Sequence, residues 1–384
     1  MKNKFLIILT YILIFFNSNL LCNENKNILK VGLLAPFSGE YKELGDSLLY
    51  SLQLALSEIN DEAVQIIPRD SGSDDKEKLN IAIQEIKSQG ASVVIGPINN
   101  EDFKEVKKYS DMVFISPSNK NPEFQNNIIS IGISLESQMS SLTKFIKKRK
   151  KEKTVILIPK NQYTEFIESK LSKLELKKYK IFKYSSDPKI LTGEIEVLTN
   201  YSQRKRNLKN RKKLFEDKED EQSKRQLEIL EQRYTLGDVN FDSVIIIDFG
   251  NSLKSVLTSL VFTDVDQEKV LFTTVNQWFD ESIFYENTVK SLFYPSVNYK
   301  EFNKYKNNYY KIFKNFPSEI TILAYDAIGL IYYAWKKNGK VDSINDFSFK
   351  GKIKGKIGTF SFDDKKIKQS LSIYRAENKK FTKF

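Results

Sequence analysis

The chain has 384 residues, 61 Lys and Arg against 49 Asp and Glu, a formal net charge of +12, one cysteine and no histidine. Without histidine there can be no Ser-His-Asp triad, no Cys-His pair and no His-bearing zinc site, and a lone cysteine forms no internal disulfide. The length suits two domains of ordinary size, and because lysine is spread even through apolar segments, the global charge by itself says little about partners.

At the amino end, Lys2 and Lys4 precede an apolar stretch from Phe5 to Phe16 and a polar break at Asn17, Ser18 and Asn19. This reads as a secretory signal peptide, residues 1–22, with an apolar core short of the roughly twenty residues that span a bilayer. Cys22 closes the segment. It is either the lipid-carrying first residue of a lipoprotein or the last residue before cleavage; Leu21, bulkier than the residue a lipobox prefers, favours cleavage. The mature protein is expected in the periplasm.

From Ile28 the pattern alternates strand-length apolar runs with amphipathic stretches. Residues 28–36 predict a buried strand and 41–60 a helix with Leu48, Leu52, Ala55, Leu56 and Ile59 on one face. Residues 64–70 predict the next strand. Leu79, Ala82, Ile83 and Ile86 then recur at helical spacing, with acids in the first turn and Gly90 after the last. Strands at 92–97 and 112–118 continue the series. A second series follows, with strands at 154–161, 180–186, 243–250, 269–275 and 291–297, a helix over 318–339, and a closing hairpin from Gly358 to Phe381. Strand and helix in alternation predict an α/β protein of doubly wound parallel sheets, because parallel strands need crossovers that cover both faces.

These residues carry a resemblance. "KVGLLAPFSGEYKELG", "LALSEIN", "IIPRDSG", "VVIGPINN" and "FISPSNKNPEF" resemble the opening lobe of type I periplasmic binding proteins, the leucine-binding-protein class, and the order of elements extends the likeness over nearly the whole mature chain. The resemblance implies two wound lobes joined by three crossings, with a ligand cleft between them. It assigns residues 28–141 and 277–338 to one lobe, and 142–276 and 339–384 to the other. "PRDSG", "YTLGDVNFDSVII", "LAYDAIGL" and the "GTFSF" hairpin further resemble the bacterial penicillin-binding-protein activators. That narrower likeness implies a non-enzymatic protein without cofactor or metal that stimulates a peptidoglycan synthase; the alternative is a receptor handing a small solute to an ABC permease.

Ligands of open parallel sheets bind beyond the carboxyl ends of the strands. Those loops carry Ser38, Asp70, Ser71, Asn99, Asn100, Ser118, Asn119 and Lys120 in the first series, and Tyr163, Gly250 and Asn251 in the second, with Asn276 and Trp278 at the return. For Ser38, Asp70 and Ser118 a turn or cap role is an equal alternative. The resemblance implies that amino-acid receptors hold the ammonium with an acid and an aromatic. Here the acid position falls near Asn276 and Lys120 replaces a threonine, so an amino-acid ligand is disfavoured.

Between Ser186 and Ser243 the crossover is far longer than the dozen or so residues such a connection needs, giving a helical excursion at about 192–236. Tyr201, Leu208 and Phe215 recur every seven residues, and Leu227, Leu230 and Tyr234 continue at helical spacing. No glycine or proline interrupts the stretch, which predicts either one long helix or two that turn near the acidic cluster Glu216 to Glu221. Its basic residues Arg204, Arg206, Arg211, Lys212, Arg225 and Arg233 form either a solvated face or a docking surface for a partner protein or anionic wall polymer. Nucleic-acid binding needs stacking aromatics or a groove motif beside the cations and a compartment that holds nucleic acid, and the export signal removes the second condition.

Overall fold

The computed structural model describes residues 27–384 apart from 74, 120–126, 172, 173, 175, 286–288, 356, 357, 364 and 365. The expected signal peptide and Cys22 therefore lie outside the described residues, as does Lys120. Among the described residues no helix is long and apolar enough to cross a membrane. The chain forms two compact units, one comprising residues up to 116 with 125–128 and 327–347, the other 117–124, 129–326 and 348–384.

In the first unit β1 (Leu29–Ala35) and β2 (Val64–Asp70) flank helix α1 (Lys42–Ile59) in the chain, and α2 (Lys76–Ser88) leads to β3 (Val93–Ile95). The short α3 (Phe103–Val106) precedes β4 (Val113–Ser116), and β5 (Ile128–Ser130) ends the sheet in the order β2-β1-β3-β4-β5. β1 pairs parallel with both β2 and β3, and β3 with β4. This sheet therefore reverses its winding between β1 and β3. The apolar spacing of α2 does what it predicts: Leu79, Ala82, Ile83 and Ile86 are buried against Leu34, Ile67, Val94 and Phe114. Asp75 starts that helix by accepting from the N–H groups of Glu77 and Lys78, satisfying donors that the first turn leaves unpaired.

One ion pair in this unit has a measurable signature. Asp61, just past α1, accepts from Lys336 at 2.8 Å and from the Tyr332 hydroxyl at 2.9 Å. The Lys336 contact, then the Ala63 N–H and Tyr332, lower its carboxyl from 3.8 to about 2. A depressed carboxylate contributes stability that is present above its unfolded value and is lost as pH falls through the folded one. An NMR titration is expected to place the Asp61 midpoint near 2, and Lys336→Met to return it towards 3.8. An unmoved midpoint in the variant would show that the lysine does not hold it.

The second unit opens with α4 (Leu135–Lys148), β6 (Lys153–Pro159), α5 (Thr164–Leu171) and β7 (Lys178–Tyr184). Three helices, α6 (Pro188–Leu198), α7 (Tyr201–Glu216) and α8 (Glu221–Glu231), then fill the crossover to β8 (Ser243–Ile246). α9 (Gly250–Phe262), β9 (Leu271–Thr274), β10 (Leu292–Ser296) and α10 (Tyr299–Phe313) follow, and α11 (Thr321–Asn338) begins in this unit and belongs to the first from residue 327 onward. β11 (Lys352–Lys354), β12 (Thr359–Asp363) and β13 (Lys366–Ser370) make a small antiparallel sheet. β14 (Ser372–Glu377) and β15 (Lys380–Lys383) join the main sheet, whose order is β15-β14-β10-β9-β8-β6-β7. Its β6 to β10 pairs are parallel and its β14 and β15 pairs antiparallel.

Two expectations change. Residues 277–326 were expected to return to the first lobe, but β10 pairs with β9 and β14, which places them in the second unit; residues 117–119 and 129–141, expected in the first lobe, also fall in the second unit, and 339–347, expected in the second, fall in the first. The single closing hairpin is two hairpins: β12 turns into β13 in the small sheet, and β14 into β15 at the edge of the large one. Period-two alternation marks both arms of each hairpin, and only the partners of each strand reveal that the segment divides at Leu371.

The excursion is a pair of helices turning between Glu216 and Glu221. Asp220 caps the second by accepting from the Ser223 N–H at 2.9 Å, and the same acidic residues that interrupt the apolar spacing supply this cap. Leu208 and Leu230 are buried on the two helices, whereas Tyr234, placed by spacing on the same face, is 77% exposed because it lies beyond the end of α8.

Candidate functional site

In the first unit the loops after β1 and β2 are stitched together by one carboxylate. Asp70 accepts from the Phe37 N–H at 2.9 Å, the Ser38 hydroxyl at 2.5 Å and the Gly72 N–H at 3.1 Å. Burial pushes its carboxyl upward, but the Ser38, Gly72 and Phe37 donors outweigh this and hold it below the ordinary value. Ser38 is fixed twice, since the Ser73 hydroxyl donates to its carbonyl at 3.2 Å. Asn99 caps the next turn through the Glu101 N–H, and Asn100 opens that turn. Thus Ser38 and Asp70 come together, and they bind each other.

Ser118 and Asn119 fall in the second unit. Ser118 is buried, and its backbone lies so close to Gly132 that a side-chain carbon there would sit 2.2 Å from the Ser118 carbonyl oxygen. Tyr163 is exposed, with its N–H donated to Asn161. Asn251 is exposed in the first turn of α9. Asn276 is only 4% exposed; its N–H donates to Gln138 Oε1 at 2.8 Å and its side-chain oxygen accepts from the Trp278 N–H at 3.1 Å. Its side-chain oxygen shapes the turn that follows β9. Trp278 adopts a left-handed φ of 48° and is half-buried beside Phe302.

The sequence reading missed Asp248, directly after the apolar run of β8. Tyr184 and Ser252 donate hydroxyl hydrogen bonds to its carboxylate, and the Phe249 N–H donates to its other oxygen at 2.8 Å. Burial first, and then the neighbouring Asp248 charge, push the Tyr184 hydroxyl far above its ordinary value, so it remains a donor. Gln277 ties this edge to the end of β9 through the Asp248 carbonyl at 3.0 Å. An acid ending a buried strand in "IIIDFG", followed by an exposed Phe249, was the available signal.

The excursion holds the other correction. Arg204, expected on a partner surface, is 6% exposed. Its Nε donates to the Gly237 carbonyl at 2.9 Å, Nη1 to the Thr263 carbonyl at 2.9 Å, and Nη2 to Thr235 Oγ1 at 2.8 Å and the Asp264 carbonyl at 2.6 Å. The guanidinium fork thereby satisfies carbonyls just beyond the C-terminus of α9, where a cation also complements the helix dipole. Burial lowers its proton affinity, countered by Asp264, whose carboxylate is 3.9 Å away. The remaining cations stay outside. Arg206 reaches Gln203, Arg211 lies over the Phe215 ring at 5.0 Å, Arg225 pairs loosely with Glu221 at 3.8 Å, and Arg233 is exposed while Lys212 is half-buried.

Residues 28–166 match the family described as periplasmic binding protein. No curated protein sequence matches the chain. Among solved structures, the leucine-binding protein LivK of Thermotoga maritima is similar at 13% identity and a TM-score of 0.57, covering 93% of this chain and 98% of that one. The LivJ substrate-binding protein of Streptococcus pneumoniae, in complex with isoleucine, gives 16% and 0.52 over 93% and 100%. The C-domain of LpoA from Haemophilus influenzae, described as a regulator of PBP1A, gives 12% and 0.60 over 92% and 99%. The fold is that of the leucine-binding-protein-like type I periplasmic binding proteins.

Proposed function

We propose that this protein is a non-catalytic periplasmic regulator of a peptidoglycan synthase, a penicillin-binding protein, and that it acts by protein-protein contact. The observation that carries the reading is the α7–α8 hairpin, inserted in the β7–β8 crossover, pinned at its base by Arg204 and presenting cations outward. Arg204 ties the start of α7 to carbonyls beyond α9, which makes the hairpin an ordered projection. Supporting this, the Asp70 carboxylate is taken up by donors from its own loops. The likeness to the LpoA C-domain agrees, although at its identity it speaks for the fold alone.

One observation favours a second reading, a solute receptor of an ABC transporter. The Asp248 carboxylate beside exposed Phe249 is an acid and an aromatic at a strand end, the pair that suits an ammonium group. The two readings separate in one experiment on the chain from residue 27. Amino acids, small acids, oligosaccharides and muropeptides are screened by thermal shift, while binding to a purified bifunctional peptidoglycan synthase is measured in parallel. The regulator reading expects synthase binding and no shift from any solute. A saturable rise in melting temperature with an amino acid, which mass action requires of a true ligand, together with no synthase binding, would replace it with the receptor.

A further inference from the structure

The exposed charges of α7 are of one sign from Tyr201 to Lys213. From Tyr201 to Phe215 the chain contains no acidic residue. Arg204 and Leu208 take the inward side, leaving Lys205, Lys209 and Lys213 exposed at successive i, i+4 positions, with Arg206 exposed alongside. At 1.5 Å of rise per residue these cations step by about 6 Å along the helix. Among the described residues the ion pairs of the hairpin region are Arg204 with Asp264 and Arg225 with Glu221; Lys205, Lys209 and Lys213 have none. Like charges at this spacing each cost an isolated helix a few tenths of a kcal/mol. A surface meant only for water intersperses both signs, as α8 does with Glu221, Lys224, Arg225, Glu228 and Glu231.

The stripe has an aromatic foot. Phe262, the last residue of α9, is 56% exposed and lies 5.8 Å from the Tyr201 ring, and Lys205 Nζ sits 5.3 Å over that same ring. Exposed Phe262 against half-buried Tyr201 supplies the aromatic component that protein interfaces favour, and the uncompensated lysines beside it call for carboxylates opposite. A helix built to lie on a bilayer would instead carry apolar residues along its length. Leu214, the exposed large apolar residue of α7, is displaced from Lys205 by about half a turn around the helix.

We propose that Tyr201, Phe262, Lys205, Lys209 and Lys213 form the docking surface for an acidic segment of a partner protein, its carboxylates spaced along the lysines and an apolar side chain seated on the two rings. The proposal deepens the reading of the protein as a contact regulator and rests on it for the partner's identity, while its chemistry is testable separately.

The test compares wild type with the Lys205→Glu/Lys209→Glu/Lys213→Glu variant and with Phe262→Ser. Three probes are used: a synthetic acidic helical peptide with glutamates at i, i+4 and i+8 and a terminal leucine, phosphatidylglycerol vesicles, and the purified synthase. Wild type is expected to bind the peptide in a salt-sensitive manner. The charge reversal should weaken that binding by about tenfold or more, as three exposed pairs of up to about 1 kcal/mol each imply, and Phe262→Ser should weaken it less. Equal peptide binding by the reversal variant overturns the proposal, and so does binding of vesicles without binding of the peptide. Synthase bound alike by wild type and variant leaves the regulator reading standing and removes this surface from it. Peptide binding lost on reversal, with no synthase bound by wild type, upholds the surface and removes the synthase. Thermal melts check that the variants fold, and Lys209→Glu alone serves if the triple variant melts early.

Discussion

Arg204→Met is expected to destabilise the second unit by about 2–4 kcal/mol and to lower its melting temperature by about 5–10 °C. The substitution preserves much of the buried stem and removes the guanidinium that donates to the carbonyls of Gly237, Thr263 and Asp264 and to Thr235. The Thr263 carbonyl and Thr235 are buried and lose that donor where water does not readily replace it, at a cost above what a neutral hydrogen bond contributes, whereas the Gly237 carbonyl, on an exposed residue, can turn to water. Thr235 and Asp264 retain their own hydrogen bond at 2.5 Å, which limits the damage. Arg206→Met, two residues away on the exposed side, is expected to change stability by no more than about 0.5 kcal/mol. Urea unfolding of both variants reads the difference directly, and equal midpoints would show that Arg204 does not anchor the hairpin. The same contacts argue against removing residues 204–233 wholesale as a probe of partner binding, because the cut would also expose the end of α9.

Gly45→Ala is expected to destabilise the first unit by about 1–3 kcal/mol. Helix propensity taken alone predicts the opposite, a gain of about 1 kcal/mol on replacing glycine with alanine inside a helix. The sign turns on one approach: a side-chain carbon at Gly45 would stand 2.0 Å from the Pro36 carbonyl oxygen, so α1 or the loop after β1 must move. That loop carries Phe37 and Ser38, two of the donors to Asp70, and the displacement should also speed hydrogen exchange at Phe37 and Gly72. Gly193→Ala in α6 is the control, since nothing lies within 4 Å of the carbon it would add and propensity is unopposed there. A gain in stability at both positions would show that the α1 contact yields without cost.

Most of the architecture was legible in the linear pattern. Strand-length apolar runs and the helical spacing of Leu79, Ala82, Ile83 and Ile86 report burial that is decided within one element, and a parallel sheet follows because nothing else pairs such strands across helices. The assignment of residues 277–326 was not legible, since β10 reads as a strand whichever sheet accepts it. The loops after the strands were correctly located as polar. What their residues do was hidden, because Asp70 and Asn276 find their partners among groups distant in sequence or supplied by the backbone.

The order of elements, the two wound sheets, the absence of histidine chemistry and the length of the excursion follow from sequence alone, since composition and periodicity are properties of neighbouring residues. Only the tertiary structure decided that Arg204 turns inward while Lys205, Lys209 and Lys213 turn out, and that Asp248 meets Tyr184 and Ser252. The physical reason is that a charged side chain is buried only where the fold gathers enough acceptors or donors around it, and those groups come from segments far apart in the chain.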